Sequence, residues 1–168
     1  METQKYDYTN VWKKVSKIIQ IAQTYLKDDK DLIESEIQKA YIYARDAHEG
    51  QFRHSWDPYI LHPVESCIIL MDLNPDLHTI QACLLHDVIE DTPKEYEDIE
   101  NDFWKEVAYL CWWMEKLSKV KYKWEERTIS SLRKMFVAMS DDLRVIFIKL
   151  ADRLHNMKTL KHHPKKDK

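Results

Sequence analysis

The sequence predicts an all-α fold, a helical bundle of about seven to eight helices. Apolar residues recur three and four positions apart in successive segments, and no stretch alternates with a period of two over a useful length. The 168 residues contain no repeat and no Gly/Ser/Pro-rich linker, so residues 1–168 are predicted to form a single domain. The predicted helices cover approximately 11–27, 32–48, 63–73, 77–92, 101–118, 127–139 and 141–160.

The net charge, the cysteines and the absence of long apolar runs limit the partners and the cellular location that the sequence allows. With 26 basic and 29 acidic residues the net charge is −3, which provides no overall field to attract nucleic acid or an anionic membrane. Cys67, Cys83 and Cys111 lie far apart in apolar segments, a pattern typical of reduced core cysteines. No apolar run approaches the length of a membrane span, and residues 1–10 lack a signal-peptide core. We therefore expect a cytoplasmic protein with no nucleic-acid or membrane partner.

The stretch Leu84–Pro93 turns abruptly from apolar to polar. On a continuous helix His86 and Glu90 share one face, and Asp87 and Asp91 share the neighbouring one. Acids are unfavourable at a helix C-terminus, and a buried cluster of charges is costly unless a cation compensates it. A divalent metal would be such a cation. The alternative is a surface helix end whose acids face water.

The last predicted helix carries a second polar group. Asp152 and Asn156 are four positions apart, with Lys149 one turn earlier. The alternative for Asp152 is a plain helix salt bridge with Arg153, and His155 is interpreted as structural. The apolar spacing of this helix predicts a buried stripe made of Leu143, Ile146, Phe147, Leu150, Leu154 and Met157.

A series of motifs, in order along the chain, resembles the HD-type hydrolase domain of RelA/SpoT-like alarmone enzymes. An isolated His-Asp pair is a weak signal, but the whole series is specific and covers about residues 40–160. The motifs are AHEGQFR at 47–53, Ser55, PYI at 58–60, HP at 62–63, LLHDVIEDT at 84–92, RKM at 133–135 and IKLADRLHNM at 148–157.

The resemblance implies a fold, an activity and a metal. The family is all-helical, binds one Mn²⁺ through two histidines and two aspartates, and removes pyrophosphate from the 3′ position of (p)ppGpp, the guanosine tetra- or pentaphosphate, returning GDP or GTP. Matched residue by residue, it makes Glu90 and Asp91 the acidic pair that orients and deprotonates the attacking water. The implied metal ligands are His62, His86, Asp87 and Asp152. The implied nucleotide-binding residues are Arg53, Ser55, Asn156 and Thr159.

Three alternatives stay open at this point. The chain could be an HD phosphohydrolase for another nucleotide, since His54 stands where the family often carries lysine. It could be a catalytically silent regulatory domain, although the intact ligand series argues against silence. Arg53 could be an ordinary surface-loop arginine.

The sequence stops shortly after the last motif, so the C-terminal helices of the family domain and its synthetase domain are expected to be absent, as in a compact hydrolase or a fragment of a longer bifunctional protein.

The chain departs from the family at three glycine positions, which hold Trp56, Trp104 and Trp113. Tryptophan is strained at the positive φ angles that glycine adopts freely. Gly50 is the only glycine in the sequence. One hypothesis is therefore that these three residues are encoded by UGA codons that the organism reads as glycine; Trp112, where the family has an acid, fits it less well. The alternative is a divergent branch with genuine tryptophans.

Overall fold

The computed structural model describes residues 8–118 and 141–159, and within these ranges it contains eight α-helices and no strand. An isolated antiparallel bridge joins Phe52 to Pro58. The all-α fold predicted from the sequence is confirmed, and the helix predicted at 127–139 lies outside the described residues. The helices are α1 (Thr9–Tyr25), α2 (Lys30–Ala47), α3 (Leu61–Leu70), α4 (Leu77–Leu85), α5 (Val88–Asp91), α6 (Tyr96–Asp102), α7 (Lys105–Ser118) and α8 (Leu143–Thr159), with a 3₁₀ turn at Met71–Leu73.

Helix α4 lies at the centre of the bundle. It packs against α2, α3, α7 and α8, and residues 79–85 are all buried. Asp76 caps its N-terminus by accepting a hydrogen bond from the amide of Thr79 at 2.8 Å. Because α4 is buried on all sides, its C-terminal end brings His86 into the interior, where this residue is 1% exposed. None of the described helices combines the length and the apolar character needed to cross a membrane.

The predicted helix at 77–92 is interrupted at His86 and Asp87. The ring of His86 hydrogen-bonds the carbonyl of Cys83 at 2.7 Å, and this is the carbonyl that the amide of Asp87 would use in a continuous helix. The chain restarts as the single turn α5, closed by the bond from the Asp91 amide to the Asp87 carbonyl. The expectation of one continuous helix is wrong here, and the break lies in the middle of the polar cluster.

The predicted helix at 101–118 is also divided. Helix α6 ends at Asp102, Phe103 is extended with φ −129° and ψ −177°, and α7 starts at Lys105. The carbonyl of Trp104 accepts the first hydrogen bonds of α7. Phe103 is buried at 8% exposure, and its ring packs edge-on against Tyr43 of α2 at a centroid distance of 5.3 Å.

Helix α8 presents two polar residues, Asp152 and His155, to the core and most of its apolar residues to the surface. Asp152 and His155 are buried on the side that also carries Ile148 and Ala151, and this helix packs against α3. Of the predicted buried stripe only Ile146 is buried, so that prediction is wrong. Apolar spacing locates a stripe but does not say which side faces the core, and here the polar site residues occupy that side. The exposed members are Leu143, Phe147, Leu150, Leu154 and Met157.

A charge cluster joins the N-terminal ends of three helices. The guanidinium of Arg144 contacts Asp76 at 3.1 Å, Glu106 at 2.5 Å and Asp142 at 2.5 Å. These acids cap α4, lie in the first turn of α7, and precede α8. Hydrogen bonds from Arg144 hold the pKa values of Asp142 and Glu106 below their ordinary range. We call these four residues the Arg144 clamp.

The three tryptophans at family glycine positions have unusual surroundings. Trp56 adopts a φ of 65°, in the left-handed region, and its side chain is 83% exposed. Trp104 precedes α7 and is 61% exposed. The indole nitrogen of Trp113 is buried with no hydrogen-bond partner within the described part of the chain. These surroundings support the hypothesis of recoded glycines, which stays a hypothesis.

Candidate metal centre

Three helices bring the four predicted metal ligands together. His62 is in the first turn of α3, His86 and Asp87 lie between α4 and α5, and Asp152 is in α8. The Nε2 atom of His62 lies 3.2 Å from an oxygen of Asp152 and 3.5 Å from one of Asp87. His86 Nε2 lies 3.1 Å from the other Asp87 oxygen. All four side chains are buried.

The local chemistry fits a cation. His86 donates its Nδ1 proton to the carbonyl of Cys83, so its Nε2 atom carries a lone pair. That nitrogen is buried with no hydrogen-bond partner among the described residues, and it faces a carboxylate oxygen. Ligand atoms of His62, His86 and Asp87 lie within 4.8 Å of one another. Two electron-rich atoms in buried contact repel unless a positive ion lies between them, and imidazole with carboxylate suits a divalent transition metal.

The electrostatics favour a neutral ring at His62 and an ionised carboxylate at Asp152. Burial lowers the pKa of His62, although its hydrogen bond to Asp152 opposes this, so the ring is favoured as neutral. Burial alone would raise the pKa of Asp152. The hydrogen bond from His62 and the nearby His86 and Lys149 outweigh that effect and hold the pKa well below its usual range. Lys149 pairs with Asp152 at 2.9 Å.

The acidic pair, Glu90 and Asp91, lies beside these ligands, and Tyr59 connects Asp91 to the ligand Asp87. The hydroxyl group of Tyr59 lies 3.0 Å from an oxygen of Asp87 and 2.6 Å from one of Asp91, within hydrogen-bond reach of both. Since a phenol has one proton, it donates to one carboxylate at a time and ties the two together. Burial and the charges of Asp87 and Asp91 raise the pKa of Tyr59 far above its ordinary value, so it stays protonated. Partial desolvation raises the pKa of Glu90, which makes it a stronger base.

A group from the end of α2 supports the acidic pair. The ring of His48 stacks on Tyr59, with centroids 4.5 Å apart and an interplanar angle of 19°. The Gln51 side chain bonds His48 through its oxygen and donates its amide to the carbonyl of Asp91, both at 2.8 Å. The AHEGQ segment therefore fixes the position of Asp91 from behind.

A cavity of about 820 Å³ opens in front of the cluster. It is lined by carboxylates, including Asp87, Glu90, Asp91 and Asp152, and by three cationic side chains, Arg53, Lys149 and Arg153. The tight turn at 53–57 carries Arg53, whose guanidinium donates to Asn156 at 2.8 Å and lies 5.7 Å from the ring centroid of Tyr59. Acids for a metal and cations for phosphate groups thus share one cavity.

Comparison with known proteins identifies the family. The model of the HD domain family matches residues 40–168. This chain belongs to the HD domain family. It is 51% identical over 142 residues to the bifunctional (p)ppGpp synthase/hydrolase SpoT of Escherichia coli strain K12, covering 84% of this chain and 20% of that protein. It is 42% identical over 151 residues to the guanosine-3′,5′-bis(diphosphate) 3′-pyrophosphohydrolase of Spiroplasma citri, with 88% and 20% covered.

A solved structure matches the HD domain as a fold. It is that of a metazoan ortholog of SpoT that hydrolyzes ppGpp, with a TM-score of 0.63 and 29% sequence identity over 75% of this chain and 70% of that chain. The resemblance to RelA/SpoT-type hydrolase domains found in the sequence is confirmed. The chain spans about a fifth of the length of the curated relatives named above.

The HD domain places the predicted residues in three groups. His86 lies behind the cavity wall and contacts Asp87. Ser55 and Thr159 do not line the large cavity; they line a smaller one of about 160 Å³ behind His62. Thr159 also hydrogen-bonds carbonyls within its own helix, at His155 and Asn156. The other predicted site residues line the large cavity: Arg53, His62, Asp87, Glu90, Asp91, Asp152 and Asn156.

Sequence reasoning missed two residues of this HD domain. Tyr59 was part of a matched motif, but only the structure shows its hydroxyl between two carboxylates. His155 was interpreted as structural, yet its Nδ1 atom lies 2.6 Å from that of His62. The signal for His155 was its position one turn after Asp152 on the same helix, which places it near the same ligands.

Proposed function

We propose that this HD domain hydrolyses the 3′-pyrophosphate of (p)ppGpp, releasing pyrophosphate and leaving GDP or GTP. The observation that carries the proposal is the shared cavity. It is lined by three of the predicted metal ligands, His62, Asp87 and Asp152, by the acidic pair Glu90 and Asp91, and by three cationic side chains. The names of the SpoT-type relatives support a guanosine nucleotide as substrate.

His62, His86, Asp87 and Asp152 would hold one divalent ion, for which we propose Mn²⁺ because its ligands combine imidazole and carboxylate. When bound, the ion supplies a Lewis acid for phosphoryl oxygens and lowers the pKa of water.

Glu90 and Asp91 would act on the attacking water. A carboxylate accepts a proton from the water molecule while the water oxygen bonds to the phosphorus attached to the ribose 3′ oxygen. The bond between that phosphorus and the 3′ oxygen breaks, the 3′ oxygen takes a proton from solvent, and the carboxylate returns its own proton to solvent. Pyrophosphate and the 3′ hydroxyl are the products. The raised pKa of Glu90 suits the base, and Tyr59 holds Asp91 in position.

The cationic side chains would bind the phosphates. Arg53, Lys149 and Arg153 line the cavity on the side of the turn at 53–57 and of α8. Asn156, which accepts a hydrogen bond from Arg53, would contact the sugar. Ser55 and Thr159 would contact the nucleotide from the smaller cavity beside them. The cytoplasmic location and the absence of nucleic-acid and membrane partners stay predictions.

Release of pyrophosphate by the purified protein tests this proposal. The assay uses ppGpp with Mn²⁺, a chelator-treated control, and a panel of GDP, GTP and ATP, with product identity established by mass spectrometry. The proposal predicts Mn²⁺-dependent release of pyrophosphate with formation of GDP. Turnover of the ordinary nucleotides in place of ppGpp would contradict the proposed substrate and favour the alternative of another nucleotide. Bound metal without turnover of any nucleotide would favour the silent domain.

A further inference from the structure

We propose that His155 is a positioning residue of the metal centre, and that His62 and His155 exchange tautomers together when metal binds. The proposal rests on the metal site of the proposed function but not on the identity of the nucleotide. The two Nδ1 atoms lie 2.6 Å apart, with ring centroids 4.8 Å apart. Both rings are buried, with exposures of 2% and 8%.

The short distance permits one proton between the rings. Two N–H groups facing each other at 2.6 Å would clash, and two lone pairs would repel. When both imidazoles are neutral, one Nδ1 therefore donates and the other accepts. Since each neutral imidazole carries one proton, the tautomer of His62 determines that of His155.

In the metal-free protein the carboxylates select one arrangement. His62 Nε2 lies 3.2 Å from Asp152 and 3.5 Å from Asp87, so a proton on this nitrogen meets hydrogen-bond acceptors. With its proton at Nε2, His62 accepts at Nδ1 from the Nδ1–H group of His155. The Nε2 atom of His155 then carries a lone pair.

Metal binding requires the reverse arrangement. A ligating His62 offers its Nε2 lone pair, so that proton leaves to solvent. The shared proton moves from His155 to Nδ1 of His62, and His155 takes up a proton at Nε2. The pair holds two protons before and after. His155 thus becomes the acceptor that orients the ligand ring, as outer partners do for metal-bound histidines.

The exchange reaches a second part of the site. The His155 ring lines the cavity of about 160 Å³ that Ser55 and Thr159 also line. The Nε2 atom changes from acceptor to donor when metal binds, so the metal alters the hydrogen-bonding character of a ring beside residues predicted to contact the nucleotide.

Nitrogen NMR of the imidazole rings tests the exchange directly. The full chain, labelled with ¹⁵N-histidine, is compared without metal and with Zn²⁺, a diamagnetic ion that accepts the same donors. We expect His62 to be protonated at Nε2 and His155 at Nδ1 without metal, and the opposite pattern with Zn²⁺. A tautomer of His155 that is the same in both states would overturn the proposal, whatever the activity toward ppGpp.

Two substitutions test the positioning role by Mn²⁺ titration. His155→Leu removes the acceptor and should weaken Mn²⁺ binding by about 10–100-fold, the typical effect of losing such a partner. His155→Asn places an amide near the Nδ1 position and should keep most of the affinity, because an amide donates or accepts. His78 lies away from the metal centre, 2.8 Å from Glu106 of the Arg144 clamp, so His78→Leu is the control for loss of an imidazole. Equal affinity in His155→Leu and wild type would contradict the role.

Discussion

Acidic clusters lie at both ends of α4, and they are neutralised in different ways. At the N-terminal end, Asp76, Glu106 and Asp142 surround one guanidinium, that of Arg144. At the C-terminal end, Asp87 lies among buried histidines, and within residues 8–118 and 141–159 no lysine or arginine pairs with it. In the first cluster every acid contacts the cationic side chain of Arg144. In the second, Lys149 pairs with Asp152, but Asp87 contacts only histidines among these ion pairs.

The two clusters also differ in burial, and burial determines where a bound ion is needed. The clamp is partly exposed, with 26% of the Arg144 side chain accessible, so water and the guanidinium share the charge. Asp87 is 8% exposed and faces the lone pair of His86. A buried charge without a partner is costly, and a bound divalent ion turns that cost into binding energy. We therefore assign a structural role to the clamp and propose the metal centre at the other end of α4.

The largest expected effect comes from Asp87→Asn. This variant loses one ligand and the negative charge, so metal content and pyrophosphate release should be abolished together. Metal content is measured by mass spectrometry of the purified protein, and Asp72→Asn, an exposed acid in the 3₁₀ turn, is the control. An Asp87→Asn protein with a full complement of metal would break the contrast between the two clusters.

Glu90→Gln should separate chemistry from metal binding. Glu90 lies beside the ligand set without belonging to it, so metal content should stay unchanged. If Glu90 is the base, turnover should fall by about 10²-fold or more. The kcat of pyrophosphate release measures this, and Glu97→Gln in α6 is the exposed control. Loss of metal in Glu90→Gln would show that this carboxylate is a ligand.

Arg144→Gln should destabilise the fold without affecting the metal. Three acids lose their counter-ion in a partly exposed network, which corresponds to about 1–2 kcal/mol of unfolding free energy. Urea unfolding measures the loss. Arg45→Gln is the matched control, because Arg45 forms a surface pair with its neighbour Asp46. An unchanged unfolding free energy in Arg144→Gln would contradict the structural role assigned to the clamp.

Acidification should remove the contribution of the Arg144 clamp to the free energy of unfolding. Asp142 and Glu106 have lowered pKa values, so the folded protein binds fewer protons than the unfolded chain near these values. The stabilisation is complete above the ordinary carboxylate pKa of about 4 and is lost as pH falls through the folded-state values. The difference in unfolding free energy between wild type and Arg144→Gln should therefore shrink on acidification. A constant difference would contradict this account.

The smallest effect is expected from Trp56→Gly. Glycine adopts a φ of 65° without strain, so the substitution relieves backbone strain in the folded state. Glycine also increases the conformational entropy of the unfolded chain, which offsets part of this gain. The net increase in unfolding free energy should be up to about 1 kcal/mol. Trp56→Ala keeps a Cβ atom and should not gain as much. Thermal unfolding measures both variants. Peptide mass spectrometry of the native protein tests the recoding hypothesis itself, and tryptophan at positions 56, 104 and 113 would contradict it.

The sequence predicted the helices of the site better than their details. Helical spacing indicated the polar groups at 86–91 and at 152 and 156, and the resemblance of the motif series to a known family implied the ligand set. The break at His86 was not predictable from spacing, because it arises from a side chain that bonds a backbone carbonyl. The inward face of α8 was missed for a related reason: its buried side carries Asp152 and His155, whose burial depends on contacts from other helices.

Titration of the wild-type protein with Mn²⁺, followed by electron paramagnetic resonance, tests the central claim most directly. The buried cluster at the C-terminal end of α4 should bind one ion per chain, and Asp152→Asn should lose it, although Asp152 is on a distant segment of sequence. The Arg144→Gln variant should bind as the wild type does. Absence of bound Mn²⁺ in the wild type, or equal binding by Asp152→Asn, would contradict the assignment of this cluster as a metal centre.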